Sequence, residues 1–349
     1  MLIGNFKMTI KSRTWCIPVL LLIATTLAGC APAQAKSDRP SYANNDKARS
    51  FIDGMVKDHG FDRAYLESLF SEAKRRDDII ELMSKPAEKK LRWFEYRKIF
   101  LTKNRIDGGV AFWKAHADIL NRAHETFGVD PQIIVAIIGV ETRYGGNTGR
   151  HRVLDALATL AFDYPPRSKF FTGELEQFLL LAREENIDLL TTTGSYAGAM
   201  GYGQFIPSSY RNYAIDFSDD GKRDLWGSPQ DIIGSVANYF RAHGWKQGEP
   251  VATLAQVTGD DFHTVLELGY KPNTVLDALR HDGITPQGDY PDDLVAALIK
   301  FDQQEGPEYW LGFNNFYTIT RYNHSPLYAM AVYQLSEEIL TAYETGVNE

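Results

Sequence analysis

Cysteine is nearly missing from this 349-residue chain: there are two, Cys16 and Cys30, and none beyond residue 30. That excludes a disulfide framework and makes a two-cysteine metal or redox site improbable in the body of the protein. Excess positive charge is missing too. The formal charge of −8 argues against a general nucleic-acid binder. No apolar run is long enough to cross a bilayer; the longest, Ile17 to Ala24, spans well under the ~20 residues a transmembrane helix needs. What remains is a globular composition, 44% hydrophobic and 23% charged, with length for a sizeable core and about two domains.

The first thirty residues read as a targeting segment. Lys7, Lys11 and Arg13 precede the apolar run, which ends in Leu27-Ala28-Gly29-Cys30. This order resembles a bacterial lipobox, in which the cysteine is lipidated and becomes the first mature residue. Residues 1–29 are then a signal peptide, and polar residues 30–46 a tether. Ala31, where inner-membrane lipoproteins carry Asp, is by the same resemblance expected to direct the protein to the periplasmic face of the outer membrane.

A central helix is predicted from Asp130 onward. Asp130 suits the N-cap and Pro131 the first helical position, while Gly145-Gly146 supplies a stop. From Ile133 to Val140 every residue is apolar or glycine, so no face of this helix suits water. Glu141 follows in the last turn. The negative end of the helix dipole and neighbouring aliphatics disfavour its charged form and are expected to raise its pKa, as a general acid requires. The alternative is a glutamate that marks where the helix reaches solvent.

Around this helix the pattern is mainly helical. Residues 47–126 form an N-terminal helical region with Phe51, Ile52, Met55 and Val56 on one face, and Asp62 capping the next helix. Between Lys85 and Arg105 a basic run is interleaved with Trp93, Phe94, Tyr96 and Phe100, which reads first as an amphipathic helix with a solvated basic face. Residues 194–203 contain four glycines together with Ser195, Tyr196 and Tyr202, and Gln204 follows; these groups can hydrogen-bond and stack on a sugar, or simply form a structural turn. Asp216, Ser218, Asp220 and Gly221 match the front half of an EF-hand loop, but its twelfth position is Gly227; Asp231 lies further on and could close a longer loop around calcium. Short apolar runs within residues 248–312 predict a small β subdomain. The segment 313–349 ends in a helix and carries Tyr317, Tyr322, Asn323, His324 and Tyr328, an aromatic and amide cluster of the kind carbohydrate clefts use.

Taken in order, Gly139 to Gly145, Ser195 to Phe205, Asp216 to Trp226, Gly234 to Phe240 and Tyr317 to Tyr328 resemble the membrane-bound lytic murein transglycosylase B family over most of the chain after Lys47. The resemblance implies a mainly α (α+β) protein: a goose-type-lysozyme-like helical core (residues 127–247), the N-terminal helical domain and the inserted β subdomain, with a glycan cleft between them. It implies that Glu141 is the sole catalytic acid/base and that Ser195, Gln204, Tyr239, Tyr322, Asn323 and Tyr328 bind the sugar. It further implies a structural calcium ion held by Asp216, Ser218, Asp220, Asp231 and the Lys222 carbonyl, and no cofactor for the chemistry. The loop before Asp231 is one residue longer than the family pattern, and Pro165-Pro166-Arg167 stands where a more basic stretch is expected.

The implied reaction cleaves the MurNAc–GlcNAc β-1,4 bond of peptidoglycan without water and leaves 1,6-anhydroMurNAc ends. Most glycoside hydrolases use two carboxylates; here Glu125 and Asp130 lie well upstream of Glu141, and no other is close in sequence. The competing readings are a hydrolytic muramidase, a non-catalytic peptidoglycan-binding lipoprotein and a calcium-dependent structural protein. The expected partners are glycan strands and, through a lipid on Cys30, the membrane, with a monomer sufficient.

Overall fold

The computed structural model describes residues 41–84 and 91–347. The signal peptide, Cys30 and most of the tether lie outside the described residues. The tether as expected runs to residue 46, yet its last part belongs to the folded body. Tyr42 is 3% exposed, and its hydroxyl donates to Asp163 Oδ2 at 2.6 Å. Its ring packs edge-on against Phe162 at 5.3 Å, so an apolar body and a bonded polar tip fix the chain here.

Helices α1 (Asp46–His59), α2 (Arg63–Glu72), α3 (Asp77–Ser84), α4 (Trp93–Phe100), α5 (Lys103–Ala115) and α6 (Ala117–Phe127) precede the central α7 (Pro131–Thr142). Asn45 caps α1 through bonds from Lys47 N and Ala48 N, and Asp62 caps α2 through Tyr65 N. In α4 the basic residues lie outward while Trp93, Tyr96 and Phe100 are buried, as an amphipathic helix requires. Every residue of α7 from Ile133 to Val140 is buried.

A short ribbon of β1 (His151–Arg152) and β2 (Thr193–Gly194) brackets α8 (Val153–Asp163) and α9 (Ser168–Glu185); α10 (Pro207–Tyr213) and α11 (Pro229–Ala242) follow. The inserted subdomain holds β3 (Ala252–Val257), α12 (Phe262–Glu267), β4 (Thr274–Val275), α13 (Leu276–His281), β5 (Ile284–Pro286), β6 (Val295–Gln303) and β7 (Gly306–Gly312). Its five strands form an antiparallel sheet in the order β4-β6-β7-β3-β5. Leu276, Leu279, Ile284, Leu298, Leu311 and Phe313 form a separate small core on this sheet. Its other side reaches the main core, where Phe301 meets Trp93 at 5.4 Å.

The chain closes with α14 (Asn314–Tyr322) and the long α15 (Pro326–Val347). Helix α15 runs antiparallel to α7: its first turn meets Glu141, and Glu337 lies near enough to Asp130 at the opposite end to feel its charge. This pairing brings a residue 187 positions away against Glu141.

Candidate active site

Helix α7 ends sooner than its glycines imply. The left-handed turn falls on Arg143 (φ 54°) and Tyr144 (φ 59°), before Gly145 (φ 87°). Their amides close the helix onto Gly139 O at 3.1 Å and Ile138 O at 3.3 Å. Two non-glycine residues in this conformation are costly unless their surroundings hold them. The Tyr144 hydroxyl does so by donating to Arg105 O at 2.8 Å. Thr142 adds a second tie, donating to Tyr202 O at 2.9 Å and accepting from Gly145 N at 3.1 Å. The helix end is thereby joined to the glycine-rich loop.

Close backbone approach explains glycine at two positions here. A Cβ on Gly145 would lie 2.0 Å from the Tyr202 ring, and one on Gly149 would lie 2.0 Å from the carbonyl of Gly194. The loop itself is internally bonded. Ser195 Oγ accepts from Ala199 N at 3.0 Å and Ala197 N at 3.3 Å, and Ser195 N donates to Ala199 O. Gln204, held at φ 50°, donates to Thr148 O at 3.1 Å and Gly201 O at 3.0 Å.

Glu141 is half-buried at the helix end. Its Oε1 accepts from the Tyr328 hydroxyl at 2.5 Å. Burial first, and then the negative charge of Glu141, push Tyr328 and Tyr322 well above the ordinary phenol pKa, so both remain neutral O–H donors. The sequence reading of Glu141 contained only burial and the helix dipole. Tyr328 adds a donor that favours the charged carboxylate and acts against both.

A cleft of about 730 Å³ opens beside this helix end. It brings together Gln204, Tyr239, Tyr322 and Asn323 of the expected sugar-binding set. Tyr239 and Tyr322 meet at 4.7 Å; the first donates to Arg321 O and the second to Gly203 O, each at 2.6 Å. Glu141, Ser195 and Tyr328 are not among the residues of the cleft wall: Ser195 Oγ is engaged by its own loop, and the Tyr328 hydroxyl is on Glu141. Among the described residues no Asp or Glu lines the cleft. Buried Glu174, on α9, is taken up by Ser208, whose amide and hydroxyl donate to it at 3.0 and 2.7 Å.

The second group of expected residues converges elsewhere. Carboxylate oxygens of Asp216, Asp220 and Asp231 lie within 4.8 Å of one another. Asp216 accepts from Gly221 N at 2.7 Å, Asp220 N at 3.2 Å and Ser218 Oγ at 3.1 Å. Fully buried Asp231 accepts from Phe217 N, Ser218 N and Asp224 N at 2.8 to 3.0 Å. Asp220 accepts from Lys222 N at 2.9 Å, which fixes the Lys222 backbone in the same loop. The longer loop therefore does not exclude Asp231 from the group. Three carboxylates held this close repel unless a cation lies among them, and all-oxygen donors on a tight turn suit calcium.

A family model, the transglycosylase SLT domain, matches residues 43–337. The chain belongs to that family. Membrane-bound lytic murein transglycosylase B of Escherichia coli (strain K12) is 50% identical over 312 residues, covering 86% of this chain and 84% of the relative. Soluble lytic transglycosylase SltB1 from Pseudomonas aeruginosa superposes with a TM-score of 0.81 at 49% identity, over 85% of this chain and 99% of that one. E. coli lytic transglycosylase Slt35, solved in complex with calcium, gives a TM-score of 0.80 at 49% identity, over 89% and 98%.

Sequence reasoning about this transglycosylase-family chain missed part of the cleft wall. Arg167, Phe170, Phe171 and Arg321 also line it. Arg167 lies 4.4 Å above the Phe170 ring, and Phe170 is 40% exposed. The available signal was Phe170-Phe171 just after Pro165-Pro166-Arg167, a bulky pair where α9 begins and the chain is still close to solvent.

Proposed function

We propose that Glu141 is the single acid/base with which this enzyme, a lytic murein transglycosylase, cuts the glycan strands of peptidoglycan. Protonated Glu141 gives its proton to the oxygen joining MurNAc C1 to GlcNAc C4, and the C1–O bond breaks. The carbonyl oxygen of the muramyl N-acetyl group stabilises the positive C1. The Glu141 carboxylate then takes the C6 hydroxyl proton as C6–O bonds to C1. A 1,6-anhydroMurNAc end forms, Glu141 regains its proton, and no water enters.

The observation that carries this reading is the bond from a neutral phenol, Tyr328, to Glu141, whose charge reaches Tyr322 of a cleft wall that holds no Asp or Glu among the described residues. A retaining or inverting hydrolase needs a second carboxylate within about 5 to 10 Å. Gln204, Tyr239, Tyr322 and Asn323 hold the sugars in the cleft. Ser195 acts indirectly by fixing the loop, and Tyr328 by holding Glu141.

Asp216, Ser218, Asp220, Asp231 and the Lys222 carbonyl hold a structural calcium ion, which takes no part in the chemistry. Lipidation of Cys30 anchors the chain to the periplasmic face of the outer membrane, where a monomer works on the wall. The test is a digest of purified sacculi by the chain lacking residues 1–30, read by mass spectrometry. Muropeptides lighter by one water than their reducing-end counterparts are expected. Reducing ends would mean a muramidase, and intact sacculi carrying bound protein a wall-anchoring module.

A further inference from the structure

The cleft is not the sole depression at the end of α7. A second pocket, of about 400 Å³, opens where α5 meets the residues just past Glu141; Ile99, Asn104, Arg105, Arg143 and Tyr144 are in its wall. Two arginines line it, the buried Arg105 (7% exposed), whose guanidinium also lies 5.0 Å over the Phe100 ring, and the exposed Arg143. Arg105 uses Nη1 to bond Gly139 O at 2.8 Å and Val140 O at 3.3 Å, the two carbonyls before Glu141. Its Nε and Nη2 make no hydrogen bond among the described residues. The Arg143 guanidinium makes neither a hydrogen bond nor an ion pair there. Burial, and then the positive charge of Arg143, hold Arg105 below the ordinary arginine pKa. Among the described residues no acidic residue lines the pocket.

Helix capping accounts for Nη1 of Arg105, since a cation suits the negative end of a helix. It does not account for a second arginine, Arg143, in the wall of the same pocket, close enough for its charge to act on Arg105. Two adjacent arginines with spare N–H donors form a site for a planar anion, which they can grip through paired hydrogen bonds. Ile99, 46% exposed, and Asn104 add an apolar wall and an amide beside the charges, which fits an amino-acid residue better than a bare ion. The N-acetylated sugars of a glycan strand are uncharged once the lactyl group is amide-linked, so the anionic groups of peptidoglycan lie on its stem peptides.

We propose that the Arg105–Arg143 pocket receives a carboxylate of a stem peptide carried by the strand being cut. This rests on the peptidoglycan reading above and adds to it a site for the peptide, separate from the sugar cleft.

The test compares glycan strands bearing their stem peptides with the same strands stripped by an amidase. Arg143→Asn removes the charge and tolerates the left-handed conformation that residue 143 adopts. Loss of a charge-assisted contact of this kind is expected to raise KM on stem-bearing strands about tenfold, and on stripped strands by less than about twofold. Arg143→Lys keeps a positive charge without the paired donors and should recover part of the difference. Equal changes on both substrates, or none on either, would overturn the proposal. Failure of the wild-type chain to release anhydro ends from both substrates would overturn the enzymatic reading, and the pocket's role with it.

Discussion

Glu141 and the Asp216–Asp220–Asp231 group treat carboxylates in opposite ways. Glu141, at the end of α7, accepts from a neutral hydroxyl at 2.5 Å. The aspartates stand together and are held by backbone amides, three of them on Asp231 alone. Amide donors favour the charged form, and charged carboxylates this close repel one another, which calls for a cation. The Tyr328 phenol, kept protonated by its raised pKa, is a side-chain donor to Glu141. It leaves Glu141 able to give up a proton and recover it. The difference separates a carboxylate placed for proton transfer from carboxylates placed to shape a loop.

The strongest way to sharpen this contrast is a pair of isosteric changes. Glu141→Gln should reduce turnover on sacculi by at least about 10³-fold, in the upper part of the range for one acid–base residue because it acts in both steps, with Tm nearly unchanged. Asp231→Asn should do the reverse. An amide there turns N–H donors toward backbone N–H groups, and leaving buried donors unmatched costs about 2–3 kcal/mol. Calcium at a hundredfold excess over its Kd should add about 2.7 kcal/mol to the wild type, and that gain should vanish in the variant. Thermal melts with and without a chelator read both effects.

Tyr328→Phe probes the link between the two helices. Loss of a hydrogen bond to a charged group is worth about 1.5–3 kcal/mol. Since the lost donor favoured ionised Glu141, the alkaline limb of kcat/KM, where the acid loses its proton, should move to higher pH. A pH–rate profile with no shift would mean that Tyr328 only packs.

The smallest effect lies at the other end of α7. Burial raises the Asp130 carboxyl above its ordinary 3.8, partly offset by His124. With its folded pKa raised, Asp130 contributes stability that is complete below the unfolded value and lost as pH rises through the folded one. The Asp130 side chain makes no capping hydrogen bond, so Asp130→Asn loses none and should raise Tm at neutral pH by the equivalent of no more than about 1 kcal/mol. The gain should disappear well below pH 4, as followed by melts across pH.

Much of this was legible in the chain because the signals are local. Eight consecutive apolar or glycine residues announce a buried α7. The runs at Val251, Leu294 and Tyr309 become β3, β6 and β7. The glycine-rich loop and the Asp216 loop declare themselves by backbone needs and oxygen spacing. What stayed hidden is long-range or depends on strain. The Tyr328–Glu141 bond crosses 187 positions and exists only because α15 folds back along α7. The helix stop falls on Arg143 and Tyr144, against their own preference, because Tyr144 is held by Arg105 O and the helix is held by Thr142. Tyr42 looked like part of a tether because nothing near it in sequence reveals Asp163.

The central claim is that one carboxylate suffices because the substrate supplies its own nucleophile. Digestion of sacculi in heavy-oxygen water tests it most directly. The account predicts muropeptides with 1,6-anhydro ends and no heavy oxygen incorporated at C1. Heavy oxygen at C1 of the released sugars would mean that water is the nucleophile and would contradict it.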